Sequence, residues 1–363
     1  MSDSELVSLT TELVSIPSHE DETAAGDRIA DWLRSETDAL VERDEVGNVV
    51  ARRETGQASL ALVGHHDVVE PDESQLDEQG TYVVDRRDGR IYGRGTADMK
   101  GAVAAAMCAF RDADLVPETE LVFASFVGEE VGGEGARHAI DHGFAPDRAI
   151  VIEGSTGYSA TDVTDVAVAH KGRRASTIEA SGTSAHASEP DAGENAICRA
   201  CEAVSIVRGI DAPTVTIAER DVQGSVSVTE IGGGTDWNVI PASCSVTVDE
   251  RTVPGKRAPL ERVTSIQGVE WEIVQDLPPM RCEDAAFVDL VVDVGAEEQD
   301  GTPERVLKPH ATDAGWLSEA GTESVVCGPA EPGEAHTATE SVSIAALDRC
   351  YRLYRTVASR FPP

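Results

Sequence analysis

The stretch Ser59-Leu-Ala-Leu-Val-Gly-His-His-Asp67 decides the reading of this chain. An apolar strand, Ser59–Val63, runs straight into Gly64, two imidazoles and a carboxylate. In open α/β sheets, ligands gather beyond the carboxyl ends of the strands. One His-x-Asp is a weak signal, since most such triplets are surface loops. Here the arrangement recurs along the chain. Glu120–Val127 reads as a strand that ends in Gly128-Glu129-Glu130-Val-Gly132, and Arg148–Ile152 as one that ends in Glu153-Gly154. Ser324–Cys327 reads as another, followed by Gly328-Pro-Ala-Glu-Pro-Gly-Glu-Ala-His336-Thr337. A fifth polar segment, Gly93-Arg-Gly-Thr-Ala-Asp98-Met-Lys-Gly101, precedes a small-residue helix, Gly101–Ala113.

Working outward, Glu5–Ser15 and Glu22–Glu36 have helical periodicity, and Val49–Arg52 reads as a strand. Strands alternating with helices predict a three-layer α/β/α domain with a mostly parallel sheet. The texture changes near Asp165. Ser176-Thr-Ile-Glu-Ala, Val226-Ser-Val-Thr-Glu and Ser245-Val-Thr-Val-Asp-Glu alternate with period two, which indicates strands with one wet face. A helix from about Gly193 to Arg208 lies between them. We therefore expect residues 165–274 to form a smaller inserted α+β domain, and residues 1–164 and 275–363 the main domain. Asp284–Val294, Ala311–Ala320 and Glu340–Ser359 return to helical periodicity.

Composition excludes several function classes. The 363 residues carry 30 Lys plus Arg against 66 Asp plus Glu, a formal charge of −36. Such a chain has little with which to neutralise nucleic-acid phosphates or an anionic membrane surface, so neither is expected as a partner. Hydrophobic residues make up 40%, enough for a folded core in spite of the charge. Lysine is confined to Lys100, Lys171, Lys256 and Lys308. A uniformly acidic, lysine-poor surface is what high salt favours, because salt screens the self-repulsion. Acidic residues in the first thirty positions argue against a secretory signal, and no run of about 18 apolar residues suggests a membrane span. The seven scattered cysteines point to a reducing, cytoplasmic setting rather than a disulfide framework. Cys198 and Cys201 form an isolated C-x-x-C pair on a helical pattern, with no second pair to complete a zinc site.

Imidazole and carboxylate without thiolate suit zinc, cobalt or manganese in a catalytic rather than a structural site. At this point the chain resembles the co-catalytic di-zinc aminoacylase and exopeptidase family. That family includes acetylornithine deacetylase, succinyl-diaminopimelate desuccinylase and the glutamate carboxypeptidases. The resemblance rests on His65-x-Asp67-x-Val69, Gly93-Arg-Gly-x-x-Asp98-x-Lys-Gly101, Glu129-Glu130-x-Gly132 and the late Gly328-Pro … Ala-His336-Thr-x-x-Glu340, and it spans nearly the whole chain. It implies two divalent cations per chain, with zinc favoured and cobalt or manganese as alternatives. His65 and Glu153 would hold one cation, Glu130 and His336 the other, and Asp98 would bridge both. Asp67 would hydrogen-bond His65 without touching metal, and Glu129 would be the general base. Alternation along the strand sends His65 and His66 opposite ways, and the family pattern selects His65 as the ligand. His66 is expected to have a neighbouring structural or pocket role, and no role is assigned to His310.

The insertion also fits the family, in which a small lid domain usually pairs two subunits. The resemblance implies a homodimer through this domain, with His186 crossing to polarise the scissile carbonyl. It places Asn238 and Arg251 where relatives hold the substrate. Two departures stand out. Ala102 replaces the usual second glycine after Lys100-Gly101. His310-Ala-Thr312-Asp313-Ala-Gly-Trp316 differs from the desuccinylase segment and lies closer to that of acetylornithine deacetylases. The expected activity is hydrolysis of the amide of a small N-acyl amino acid. Desuccinylase and dipeptidase or carboxypeptidase activity are the alternatives.

Overall fold

The four apolar segments that end in polar residues are parallel neighbours in one sheet. Strand Ala58–His65 lies between Thr119–Phe126 and Arg148–Val151, and Glu323–Val326 pairs with the far side of Arg148–Val151. In register, His65 stands opposite Phe126 and Val63 opposite Val151. All four strands therefore deliver their following residues to the same edge of the sheet. Antiparallel strands Val49–Arg53 and Leu40–Arg43 extend the sheet on one side. Val166–His170, Arg305–Lys308 and Met280–Arg281 complete it on the other.

This computed structural model describes residues 3–362. The nine-stranded sheet belongs to a unit made of residues 3–170, 280–308 and 312–362. Alternate residues of its strands enter two separate cores. Leu60, Leu62, Leu121 and Phe123 pack under the helices Asp3–Val14, Gly101–Asp112, Ala285–Glu298 and Ile344–Arg360. Ala61, Val63, Val122 and Phe126 face the shorter helices Glu134–Asp141 and Ala314–Glu319. Helix Gly101–Asp112 is buried from Gly101 through Phe110. A helix apolar all round belongs inside a layer, and its five alanines let neighbouring helices approach closely. The α/β reading of this unit is correct.

The second unit comprises Lys171–Pro279 and Pro309–Ala311. Four antiparallel strands run in the order Ser225–Gly233, Ser243–Thr252, Gly172–Ser181, Val269–Leu277. Helix Ala196–Arg208 covers one face through Ala196, Ala200, Ala203 and Val207, a helical stripe. Strand Gly172–Ser181 alternates buried and less buried positions along its length, as its period-two pattern predicts.

Boundaries differ from the sequence reading where backbone pairing overrides pattern. The change falls after His170 rather than Asp165, because Val166–His170 continues the first unit's sheet. The helical pattern at Glu340–Ser359 begins instead as a strand, Ser341–Ser343, paired with Arg90–Tyr92, and the helix starts at Ile344. The pattern at 311–320 is helical only over Ala314–Glu319. No helix among the described residues is long and apolar enough to cross a membrane.

Candidate metal centre

Specific backbone features hold two of these polar segments toward their neighbours. His65 is the last residue of its strand. Beyond strand Thr119–Phe126 the chain reverses at Gly128, whose φ of +61° lies in the left-handed region that favours glycine. A tight loop closes there with Gly133 N–H donating to the Gly128 carbonyl (2.9 Å). This loop presents Glu129 and Glu130. Asp67 pins it, since its Oδ2 accepts the Glu130 N–H at 3.0 Å. The loop that carries Asp98 is held from a distance in sequence. Glu340 Oε1 accepts the N–H groups of Gly95 (2.9 Å), Ala97 (3.0 Å) and Asp98 (3.2 Å), and its carboxylate is ion-paired with the buried Arg94. The short strand Ser341–Ser343 anchors that glutamate in place.

The two oxygens of Asp98 face two different imidazoles. Oδ1 lies 3.1 Å from His65 Nε2 and Oδ2 lies 3.1 Å from His336 Nε2. His65 Nε2 is also 3.3 Å from Glu153 Oε1, and His336 Nε2 is 2.9 Å from Glu130 Oε1. Two donor groups follow, His65–Asp98–Glu153 and Asp98–Glu130–His336, each with ligand atoms within 4.8 Å of one another and Asp98 common to both. His65 Nδ1 lies 3.1 Å from Asp67 Oδ1 and 3.1 Å from the Asp67 carbonyl. That pairing places the Nδ1 proton toward Asp67 and turns Nε2 toward the carboxylates. Glu129 shares a third group with His65 and Glu130.

The side chains of the cluster shift one another's proton affinities. Burial opposes a protonated His65, yet Asp67, Asp98 and Glu153 outweigh it and hold its pKa well above the usual imidazole value. Contacts with Asp98 and Glu130 push His336 up to about 10. Despite burial, His336 and His65 keep Asp98 well below the usual carboxylate range. Burial drives Glu129 well above that range; His65 pulls it down, while Asp313, Glu153 and Glu130 add to the rise. Asp98, Glu129, Glu130, Glu153, His65 and His336 thus form one cluster, where confined negative charge needs compensation. The donors are all oxygen and imidazole nitrogen, and divalent cations fit such a set. Cations bound there would displace the protons held by His65 and His336.

Three residues without a role in the sequence reading belong to this neighbourhood. Glu340 positions the Asp98 loop, although it was visible only as the end of the late motif. Lys308 Nζ lies 3.2 Å from Glu153 Oε2, and both residues are buried. A lysine inside the apolar run Val306-Leu-Lys308, in a chain with so few, is the signal that could have found it. Asp313 is buried, and its oxygens have no hydrogen-bond partner among the described residues. Burial, with Asp67 and Glu153 nearby, pushes its pKa up to about 7.

His66 points away from the carboxylates and pairs through Nδ1 with Ser125 Oγ at 2.9 Å. Burial first, then Lys100 and His65, push its pKa down to about 3, against the pull of Asp67. The sign follows from proton counts. Below about 6.5 the unfolded chain takes up a proton that the folded chain refuses until about pH 3, so stability falls as pH falls through that window. The loss approaches about 1.4 kcal/mol per pH unit. Denaturant titrations between pH 7 and 4 are expected to show a shallower decline for His66→Gln than for the parent. An unchanged slope would mean that His66 is not buried neutral.

The second unit carries the remaining candidates. His186 is exposed, and its Nδ1 is paired with Ser188 Oγ at 2.7 Å. It stands opposite Val239, and the Ala187 N–H donates to the Asn238 carbonyl (2.9 Å), so His186 and Asn238 are neighbours. Arg251 is not with them. It lies near the far end of strand Ser243–Thr252, about 26 Å along the strand from Ser243, and its Nε is paired with Asp249 Oδ1 at 2.9 Å. Cys198 and Cys201 are free and exposed.

Known proteins match this chain over most of its length. The profile of peptidase family M20/M25/M40 matches residues 61–360. An acetylornithine deacetylase of Myxococcus xanthus is 30% identical over 346 residues, covering 89% of this chain and 86% of its own. A succinyl-diaminopimelate desuccinylase of Afipia carboxidovorans is 28% identical over 346 residues, covering 88% and 87%. Among solved structures, the aminopeptidase PepT of Bacillus cereus superposes with a TM-score of 0.79 at 17% identity, covering 99% of this chain and 98% of its own. The Bacillus subtilis YXEP protein, a dinuclear metal-binding peptidase, superposes with a TM-score of 0.73 at 16% identity, covering 98% and 97%.

Proposed function

The chain belongs to peptidase family M20/M25/M40, and from that premise we propose that this metal-dependent amide hydrolase removes a small acyl group from an N-acyl amino acid, in the manner of an acetylornithine deacetylase. The observation that carries the reading is Asp98, with one oxygen turned to each imidazole. His65 and Glu153 would hold one cation, Glu130 and His336 the other, with Asp98 shared and zinc the favoured ion. Two such cations, when bound, polarise an amide carbonyl and acidify the attacking water. Glu129 takes that water's proton on a carboxylate oxygen and passes it to the leaving amine nitrogen. The C–N bond breaks, and a carboxylate and a free amine are released. Asp67 keeps His65 in the tautomer whose Nε2 can bind metal. Asn238 and Arg251 are proposed to hold the substrate's carboxylate or backbone; far apart on one chain, they would serve the same substrate from different subunits of the proposed pair, and Arg251 would have to give up Asp249.

The test is a substrate panel of N-acetylornithine, N-succinyl-diaminopimelate, N-acetyl-lysine and a dipeptide. Preference for the acetylated substrates supports the reading. Preference for the succinylated substrate or the dipeptide moves the activity to the corresponding relatives. Turnover of none, with both metals bound, overturns it.

The second unit is proposed to pair two chains, with His186 donating a hydrogen bond to the developing oxyanion in the partner's site. Mixing His186→Ala chains with Glu129→Gln chains should restore activity, because a mixed dimer gathers both defects in one site. No recovery in confirmed heterodimers overturns this.

The free cysteines and the acidic surface suit a reducing cytoplasm of high ionic strength. Tm is expected to rise as salt is raised from about 0.01 M, where charges repel over about 30 Å, towards 1 M. An unchanged Tm would contradict the salt adaptation alone.

A further inference from the structure

We propose a third cation site in the first unit, formed by Glu45, His138 and His142 and suited to a divalent ion of the zinc, nickel or copper type. One ring nitrogen from each histidine and one carboxylate oxygen of Glu45 lie within 4.8 Å of one another. The histidines stand four residues apart at the end of helix Glu134–Asp141, so they share one face. Their rings stack with centroids 4.1 Å apart at an interplanar angle of 26°.

The hydrogen bonds around this cluster orient the donors. His142 Nδ1 lies 2.8 Å from the His138 carbonyl. The carbonyl can only accept, so Nδ1 carries the proton and Nε2 keeps its lone pair for a metal. A hydrogen bond on the other ring nitrogen is how metal-binding imidazoles are commonly fixed. His138 Nε2 faces the turn that holds Glu45 and lies 3.8 Å from Asp44 Oδ2.

That turn is held firmly. Asp44 Oδ1 accepts the N–H groups of Val46 (3.1 Å), Gly47 (2.9 Å) and Asn48 (2.9 Å). Asn48 joins it to the helix side, donating to the Gly135 carbonyl at 2.9 Å and accepting the Val127 N–H at 3.0 Å. The backbone is therefore in place, and Glu45 and the two rings need only side-chain rotation to reach ligand distances of about 2.0–2.2 Å. Two imidazoles and a carboxylate leave a fourth position for water or Asp44. The carbonyl end of a helix also favours positive charge. Imidazole donors select zinc, nickel or copper over magnesium or calcium. An ion here would tie turn 44–48 to the helix that directly follows the Glu129–Glu130 loop.

The experiment is equilibrium dialysis of the dinuclear enzyme against micromolar zinc, in a Cys198→Ser/Cys201→Ser background that removes the two exposed thiols. The parent is expected to take up one ion per chain beyond those of its catalytic centre. His138→Ala/His142→Ala should weaken that uptake at least tenfold and leave the other ions and the Tm in place. The count is the difference between the two proteins, so it stands whatever the occupancy of the catalytic centre. No extra ion in the parent, or one that survives in the variant, overturns the proposal.

Discussion

Glu129→Gln is expected to keep the fold and both cations and to lose about 10³-fold in turnover. The amide has nearly the carboxylate's shape, so the loop pinned by Asp67 and Gly128 is undisturbed. What it lacks is a site for the water's proton. Substrate binding should change little, so the loss falls on kcat rather than KM. Kinetics together with metal analysis of the purified variant check this. Glu129 is also within reach of a ligand position beside His65 and Glu130. A variant that loses metal and recovers activity when metal is restored would make Glu129 a ligand and reverse the roles of the pair.

Asp98→Ala is expected to empty both cation positions and abolish hydrolysis. His336→Ala should spare one cation, because among the described residues His336 belongs to one donor group and Asp98 to two. The asymmetry follows from the two oxygens of Asp98. Loss of the bridge removes a donor from both groups and leaves the remaining carboxylates to repel one another. Glu130 and Glu129 would then meet that repulsion by holding protons, since burial already raises both. Metal content of the two variants, measured side by side, separates a bridging residue from two independent sites. Equal loss in both would contradict the bridge.

Much of this was legible in the sequence because strand ends advertise themselves. Apolar runs that stop at Gly64, Gly128 and Glu153 announce where polar groups emerge, and parallel pairing brings those ends to one edge. Periodicity carries no register, so it could not place Asp98 between two imidazoles. Nor could it reveal Glu340, which acts on the Asp98 loop from more than 240 residues away through three backbone N–H groups. The helical reading of Glu340–Ser359 missed its first residues for the same reason: Ser341–Ser343 is a strand only because Arg90–Tyr92 is there to pair with it. Lys308 looks like any strand residue until Glu153 is seen beside it. Nothing in the sequence singles out His138 and His142, because it is the turn at Asp44–Asn48 that brings Glu45 to them.

The central claim is a pair of cations that share Asp98, with Glu129 left free as the base. Anomalous diffraction from crystals of the active protein, recorded at the absorption edge of the bound metal, tests it most directly. The account predicts two peaks in the cluster, one bounded by His65, Asp98 and Glu153 and the other by Asp98, Glu130 and His336, with no Glu129 oxygen at ligand distance. A single peak, or a Glu129 oxygen at about 2.0–2.2 Å from a metal in place of Glu130, would contradict it.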